Sequence, residues 1–180
     1  MITIKVPAGE LYNSETKEFI YVKETTLQLE HSLIALSKWE SKWCKPFLTK
    51  ESKTTEETLD YIRCMTTTSN IDPNVFLCLT DSNIKQIIEY IEAPMTATTF
   101  SNNSQTKPNR EIITSELIYY WMIAYQIPFE CQKWHLTRLL TLIRICGIKN
   151  SPAKKMSRNE ILNRNRALNE ARKKANHSTG

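Results

Sequence analysis

The sequence predicts an α+β protein that is mainly α-helical, with a small N-terminal antiparallel β-sheet packed on a helical body and a basic C-terminal helical tail. Only three glycines occur among the 180 residues, which disfavours an all-β sandwich because tight hairpins commonly need glycine. Apolar and polar residues alternate up to residue 31, as in strands. From Ser32 onward the apolar residues recur every three or four positions, as in helices.

Residues 1–31 are β-rich. Alternation with polar neighbours marks Ile2, Ile4 and Val6, and the segment TTLQLEH alternates again. Between them, LYNSETKEFIYV places two short β-rich runs on either side of a polar turn. We expect an antiparallel sheet of two or three strands, which must pack on helices because so small a sheet is marginally stable alone.

Residues 32–100 are predicted to be helical. A first helix follows Ser32 and ends before Pro46, since proline cannot continue a helix. Thr54 and Glu57 have the spacing of a capping box, in which each side chain accepts a hydrogen bond from the other residue's backbone N–H. A second helix is therefore expected to begin there.

Two further helical segments follow. Asp72 before Pro73 is typical of a helix start, where the aspartate caps and the proline occupies the first turn. Pro94 ends the next helix. One face of that helix is predicted to carry four isoleucines: Ile84, Ile87, Ile88 and Ile91.

Residues 111–148 are predicted to form a helical hairpin after a polar loop, SNNSQTKPNR, at 101–110. Thr114 caps a helix that runs to Tyr125, and Pro128 begins a second helix that ends at Cys146, with Gly147 just beyond it. One apolar stripe is expected at Leu117, Trp121 and Tyr125. The facing stripe is expected at Leu136, Leu139, Leu140, Ile143 and Cys146.

The charge divides the chain into two parts. Residues 149–175 carry nine Lys or Arg and two Glu, a balance of 9 − 2 = +7, which leaves 5 − 7 = −2 for the remainder. We therefore expect one globular domain over 1–148 and a basic tail over 149–180 that is partly disordered. The tail's apolar stripe is thin, so its helix is marginal unless something covers it.

The uncharged run Leu117–Phe129 is shorter than the roughly 20 residues that a spanning helix needs, so no membrane partner is expected. The N-terminus lacks a charged start followed by an apolar core, so no signal peptide is expected. These two features predict a protein that stays in the compartment where it is made.

Nothing in the sequence predicts an enzyme or a bound cofactor. There is no glycine-rich phosphate loop, and the five cysteines contain no CxxC pair of the kind that holds zinc. Cys131 and His135 lie four residues apart, but catalytic Cys–His pairs usually converge from different segments. We therefore interpret them as a core thiol beside a partly exposed imidazole.

Aromatic and arginine side chains commonly anchor protein interfaces. In the hairpin, partner contacts are expected from Trp121, Met122, Tyr125, Trp134 and Arg138. In the tail, they are expected from Lys154, Lys155, Arg158, Arg164, Arg166, Arg172, Lys173 and Lys174. The tail could be a solvated segment, a helix that docks on an acidic protein, or a nucleic-acid arm. Since it lacks interleaved aromatic residues for base stacking, protein is favoured over nucleic acid as its partner.

Long segments of the chain are similar to a known family. These are LEHSLIALSKWESKWCKPFL, EAPMTATTF, EIITSELIYYWMIAYQIPFECQKWHLTRLLTLIRIC and NSPAKKMSRNEILNRNRALNEARKK. In these segments the chain resembles small tail-module proteins of long-tailed bacteriophages, in particular the tail assembly chaperones. The resemblance covers nearly the whole chain. It departs from the family in the β-rich start and the basic end, since many tail chaperones are acidic and almost wholly helical.

The resemblance implies a non-enzymatic protein of the host cytoplasm that keeps the long, hydrophobic tape-measure protein soluble and helps recruit the major tail-tube protein. One alternative is a structural component of the virion tail or of the head–tail junction. A second alternative is a DNA-binding regulator that acts through its basic tail. A homo-oligomer of this chain is a further alternative.

Overall fold

The computed structural model describes residues 1–14, 17–100, 111–151 and 158–176. The chain divides into two compact units, Met1–Gly147 and Ile148–Gly180. The predicted loop at 101–110 lies outside the described residues. The strands are β1 (Ile2–Val6), β2 (Gly9–Asn13), β3 (Glu18–Val22) and β4 (Thr25–Leu29). The α-helices are α1 (Leu33–Trp43), α2 (Thr55–Met65), α3 (Asp81–Glu92), α4 (Ser115–Ala124), α5 (Leu136–Asn150) and α6 (Arg158–Ala175).

The predicted α+β, mainly α class is confirmed, but the strand count was too low. Four strands form two antiparallel pairs, β1 with β4 and β2 with β3. Ile2 pairs with Leu29 and Asn13 pairs with Glu18, so one register runs through both pairs. The four strands are thus the two arms of one long hairpin, interrupted near Pro7, which has no N–H to donate.

Helix α1 begins after Ser32 as predicted, and α2 begins at its predicted cap. The Ser32 hydroxyl accepts a hydrogen bond from the Ala35 N–H, and Thr54 with Glu57 forms the full capping box. α1 ends at Cys44, which has a left-handed backbone conformation with φ of 51°. The Trp43 indole N–H donates to Asp60 over 2.9 Å, which ties the end of α1 to α2.

The Asp72-Pro73 signal begins a short 3₁₀ helix, Pro73–Cys78, whose cap is the Asp72 carboxylate. Helix α3 follows, and its four isoleucines share one face as predicted, since Ile84, Ile87, Ile88 and Ile91 line one cleft. Ile87 is buried, whereas Ile88 is 45% exposed. The amide of Asn83 donates to the Lys5 carbonyl, which joins α3 to β1.

The predicted hairpin over 111–148 needs three corrections. Pro128 precedes a short 3₁₀ helix, Phe129–Lys133, and α5 begins only at Leu136. Gly147 lies inside α5, where an added Cβ would be 3.1 Å from the Tyr125 hydroxyl oxygen, so glycine there leaves room for the tyrosine. The fully buried stripe of α4 is Ile118 and Met122, flanked by the half-buried Leu117, Trp121 and Tyr125.

Unit Met1–Gly147 contains two hydrophobic clusters, and α1 contributes to both. Ala35 and Trp39 belong to the first cluster, with the strands, α2 and α3. Leu33 and Leu36 belong to the second cluster, with α4 and α5. α1 is therefore the shared wall between the two clusters, which is why it is apolar on two sides.

The Glu40 carboxylate connects the two clusters. It is 7% exposed; its Oε1 accepts from the Phe47 N–H over 2.9 Å, and its Oε2 accepts from the Ser115 N–H over 2.7 Å. Ser115 is the first residue of α4, where backbone N–H groups lack partners within the helix. A negative charge there also interacts favourably with the helix dipole.

Replacing Glu40 by glutamine is expected to lower the free energy of unfolding by about 1–3 kcal/mol, because one backbone N–H then faces an NH₂ group in place of an acceptor. Urea unfolding of unit Met1–Gly147 in the full chain measures this change. Glu56→Gln, at an exposed position of α2, is the matched control and should change stability by less than about 0.5 kcal/mol. Equal stabilities for the two variants would show that the Glu40 contacts do not stabilise the fold.

Candidate partner-binding surface

The aromatic residues predicted to contact a partner lie mostly inside the second cluster. Met122 is fully buried, so its predicted role as a partner contact is corrected to core packing. Trp121 and Tyr125 are half-buried and pack against the same cluster. Each therefore exposes only part of its side chain to a partner.

Trp134 and Arg138 form a second part of the predicted surface. The Arg138 guanidinium lies 4.2 Å from the centre of the Trp134 ring, a cation–π contact. Trp134 is half-buried against the second cluster, and Arg138 is exposed. The guanidinium thus covers part of the exposed indole, which leaves less of it for a partner.

The outer face of α4 exposes large apolar side chains. Tyr120 and Ile123 are each 63% exposed, one turn apart on the side of α4 that faces away from Ile118. Phe129, from the following 3₁₀ helix, is 53% exposed and lies 6.5 Å from Tyr119, ring centre to ring centre. We call Tyr119, Tyr120, Ile123 and Phe129 the α4 surface.

The charged residues in the chain segment that contains the α4 surface are all acidic. Residues 111–132 contain Glu111, Glu116 and Glu130 and no Lys or Arg. Glu116 lies one turn before Tyr120. A hydrogen bond from its own backbone N–H, followed by one from the Thr114 hydroxyl, lowers the pKa of the Glu116 carboxyl, so it is ionised at neutral pH. The α4 surface is therefore apolar with an acidic border.

The predicted basic residues of the tail lie on α6, except Lys154 and Lys155, which are outside the described residues. All α6 side chains that the structure describes are exposed. Ile161 and Leu168 are 45% and 46% exposed, and they lie seven residues apart on one side of the helix. On α6 the described cations are Arg158, Arg164, Arg166, Arg172, Lys173 and Lys174.

A second exposed aromatic group lies on the hairpin strands. Tyr12 and Phe19 are cross-strand neighbours whose ring centres are 5.2 Å apart, and Tyr21 lies two residues further along β3. All three rings are more than half exposed. Alternation in the sequence predicted the strands but not which of their faces remains uncovered.

His135 does not form a catalytic pair with Cys131. Its Nε2 lies 3.0 Å from the Tyr90 carbonyl oxygen, and its Nδ1 is buried without a hydrogen-bond partner. The predicted partly exposed imidazole is thus corrected, because His135 is only 6% exposed. It packs edge-on against His31 at 5.0 Å, between the two clusters.

The two histidines join a buried polar group. The His31 Nδ1 lies 2.6 Å from the Tyr61 hydroxyl, and the His31 carbonyl accepts from the Leu136 N–H over 2.7 Å. Burial, and then the neighbouring His135, lower the pKa of His31 to about 4, although Glu30 opposes the shift. Burial also lowers the pKa of His135. Both imidazoles are therefore neutral at pH 7.

Within the described ranges, no three His, Cys, Asp or Glu side chains gather in a way that could hold a metal ion. Among the helices that the structure describes, none has both the length and the apolar character needed to cross a bilayer. Comparisons with protein-family models, with curated proteins and with solved structures find no match to this chain.

The free energy of unfolding is expected to fall as the pH decreases from about 6.5 toward 4. The unfolded chain binds protons near the ordinary histidine pKa of about 6.5, whereas folded His31 resists protonation down to about 4. The stabilisation that comes from keeping His31 neutral is thus fully present above about pH 6.5. It is lost as the pH falls toward 4 and protons bind the unfolded state. His31 alone should contribute a loss of about 2 kcal/mol between pH 7 and pH 5.

Urea unfolding at pH 7, 6 and 5 tests this dependence while most carboxyl groups remain ionised. His31→Gln should flatten the profile, even though it also lowers stability at pH 7. His177→Gln is the control for the removal of one histidine. A wild-type profile that is level between pH 7 and pH 5 would contradict the assignment of buried, neutral imidazoles.

Proposed function

We propose that this chain is a tail assembly chaperone or assembly factor of a long-tailed bacteriophage, which binds the tape-measure protein and assists tail-tube assembly in the host cytoplasm. The observation that carries the proposal is the α4 surface, on which Tyr120, Ile123 and Phe129 are each more than half exposed. The family resemblance supplies the identity of the partner. An uncovered, largely apolar helix face is typical of a surface that binds another polypeptide.

The chemistry of the α4 surface suits an amphipathic helix. A tape-measure protein carries long apolar helical segments, which aggregate unless something covers them. Tyr120 and Phe129 offer flat rings with few rotatable bonds, so they pack against different helix sequences at a low entropy cost. Covering each exposed side chain contributes up to about 1.5–3 kcal/mol before the costs of association. The resulting affinity is moderate, which permits release.

The acidic residues beside the α4 surface favour some amphipathic helices over others as partners. Glu116 and Glu130 are exposed at its two ends, and opposite charges steer association and set register. The segment bound should therefore be apolar with Lys or Arg beside its apolar stripe. α6 has the opposite charge and suits acidic segments of the same or another tail protein, such as the major tail-tube protein.

Co-expression with a tape-measure fragment tests the α4 surface. Ile123→Asp should reduce recovery of the fragment at least about tenfold, because docking would then bury a carboxylate, and each tenfold loss corresponds to about 1.4 kcal/mol. The matched control is Ile88→Asp on α3, an isoleucine that is 45% exposed away from this surface. Far-UV circular dichroism checks that both variants fold.

Failure of the wild-type chain to recover any tape-measure fragment would remove the proposed partner. Equal recovery by Ile123→Asp and Ile88→Asp would remove the α4 surface but leave the partner standing. The two parts of the proposal are thus tested separately.

Two other functions lead to different measurements. A transient chaperone should be absent from purified phage particles by mass spectrometry, whereas a structural component of the tail or head–tail junction should be present at a fixed copy number. The six cations of α6 are the observation that favours DNA binding. A DNA-binding regulator should bind duplex DNA with an affinity that falls steeply as salt increases, and we expect no such binding at physiological salt.

A further inference from the structure

Unit Met1–Gly147 contains a cavity of about 470 Å³, and none of the four residues of the α4 surface lines it. Its wall comes from distant parts of the chain: the residues that follow β4, the first turns of α1, the end of α2 and the end of the 3₁₀ helix Phe129–Lys133. Small-molecule sites commonly have volumes of roughly 300–1,000 Å³. The cavity is therefore large enough to hold a small molecule.

Two lysines from different elements line this cavity. Lys38 lies on α1, and Lys133 is the last residue of the 3₁₀ helix. In the described part of unit Met1–Gly147, neither lysine has a carboxylate oxygen within ion-pair distance. Both are exposed, so each ammonium group can move to meet a ligand in the cavity.

Among the described residues that line the cavity, Glu30 is the single acidic one, and both of its oxygens already have partners. Its Oε1 accepts from the Tyr90 hydroxyl over 2.6 Å, and its Oε2 lies 2.7 Å from the Met1 amino nitrogen. Burial, and then Asp60, raise the pKa of the Cys64 thiol in the wall, so the thiol is neutral at pH 7. The charge around the cavity thus favours an anion.

The residue types favour a phosphate over a carboxylate. The planar fork of arginine matches a carboxylate, whereas lysine binds phosphate as a point charge, and no arginine is among the described residues of the wall. Ser32 is 6% exposed, and its Oγ accepts from the Ala35 N–H, so its own hydrogen remains to be donated to a phosphate oxygen. Ile34 and Met65 add apolar wall for the group that carries the phosphate.

We propose that this cavity binds a small phosphomonoester, with Lys38 and Lys133 holding the phosphate and Ile34 and Met65 contacting the group attached to it. A phosphomonoester carries a charge of about −1.5 to −2 at neutral pH, which two ammonium groups can balance. This inference is independent of the proposed function, because no residue of the α4 surface takes part.

NMR titration of the isotope-labelled full chain with phenyl phosphate tests the proposal. At about pH 8, well above the second phosphate pKa of about 6, the ligand is a dianion. We expect a Kd of about 1 mM or tighter, with amide shifts at Ser32, Lys38, Thr66 and Lys133. Benzoate and phenol at the same ionic strength are the matched ligands, and each should bind at least about fivefold more weakly.

Lysine variants test which cations hold the phosphate. Lys38→Gln and Lys133→Gln should each raise the Kd for phenyl phosphate at least about fivefold, and the double variant should show no saturation. Lys85→Gln removes an exposed lysine of α3 that does not line the cavity, so its Kd should stay within about twofold of the wild type. Far-UV circular dichroism should be unchanged in all of them, because these side chains are exposed.

Thiol alkylation gives an independent readout with an internal control. Cys64 lines the cavity, whereas the exposed Cys44 does not. Saturating phenyl phosphate should slow the reaction of Cys64 with iodoacetamide at least about threefold, because the ligand blocks access to the thiol. The rate at Cys44 should not change. Peptide mass spectrometry measures both rates in one sample.

Four results would each overturn the proposal. The first is a Kd weaker than about 10 mM for phenyl phosphate. The second is amide shifts confined to the basic residues 158–176, which would indicate general attraction to the tail. The third is equal binding by Lys38→Gln, Lys133→Gln and Lys85→Gln. The fourth is benzoate or phenol binding as tightly as phenyl phosphate, which would remove phosphate as the recognised group.

Discussion

The buried carboxylate of Glu40 is the contact on which the arrangement of the second cluster depends. It leaves α1 and accepts a hydrogen bond from the first N–H of α4 and another from Phe47. Burying a carboxylate is costly unless its oxygens find donors, so the two N–H groups and the charge hold one another in place. As a result, the start of α4 is fixed against the C-terminal half of α1.

That anchor decides which face of α4 is sealed. With its first turn held at Glu40, α4 turns Ile118 and Met122 toward Leu33 and Leu36 of α1. The opposite face must then carry Tyr120 and Ile123 into solvent. The candidate partner surface therefore follows from the position of α1 between the two hydrophobic clusters. Because α4 is apolar all round, its two neighbours cannot bury every side of it.

The second contact between the clusters is polar as well. His31 and His135 pack in a T-shaped arrangement, and the Leu136 N–H donates to the His31 carbonyl, which fixes the start of α5. Together with Glu40, these groups orient α4 and α5 through directional bonds, whereas the apolar clusters supply non-directional stability. A binding surface built this way is held in one shape, which lowers the entropy lost when a partner docks.

The sequence by itself determined the local features of the fold. Thr54, Asp72 and Thr114 cap helices where predicted, because a cap involves residues only two or three positions apart. Alternation likewise predicted the strands. Sequence pattern could not decide the exposed face of α4, since residues 117–125 contain no charged side chain to mark it. Only the tertiary contacts made that choice and fixed the start of α5. Glu40 is distant in sequence from the Ser115 N–H, and His31 is distant from the Leu136 N–H. No periodicity in the sequence indicates a hydrogen bond over such a separation.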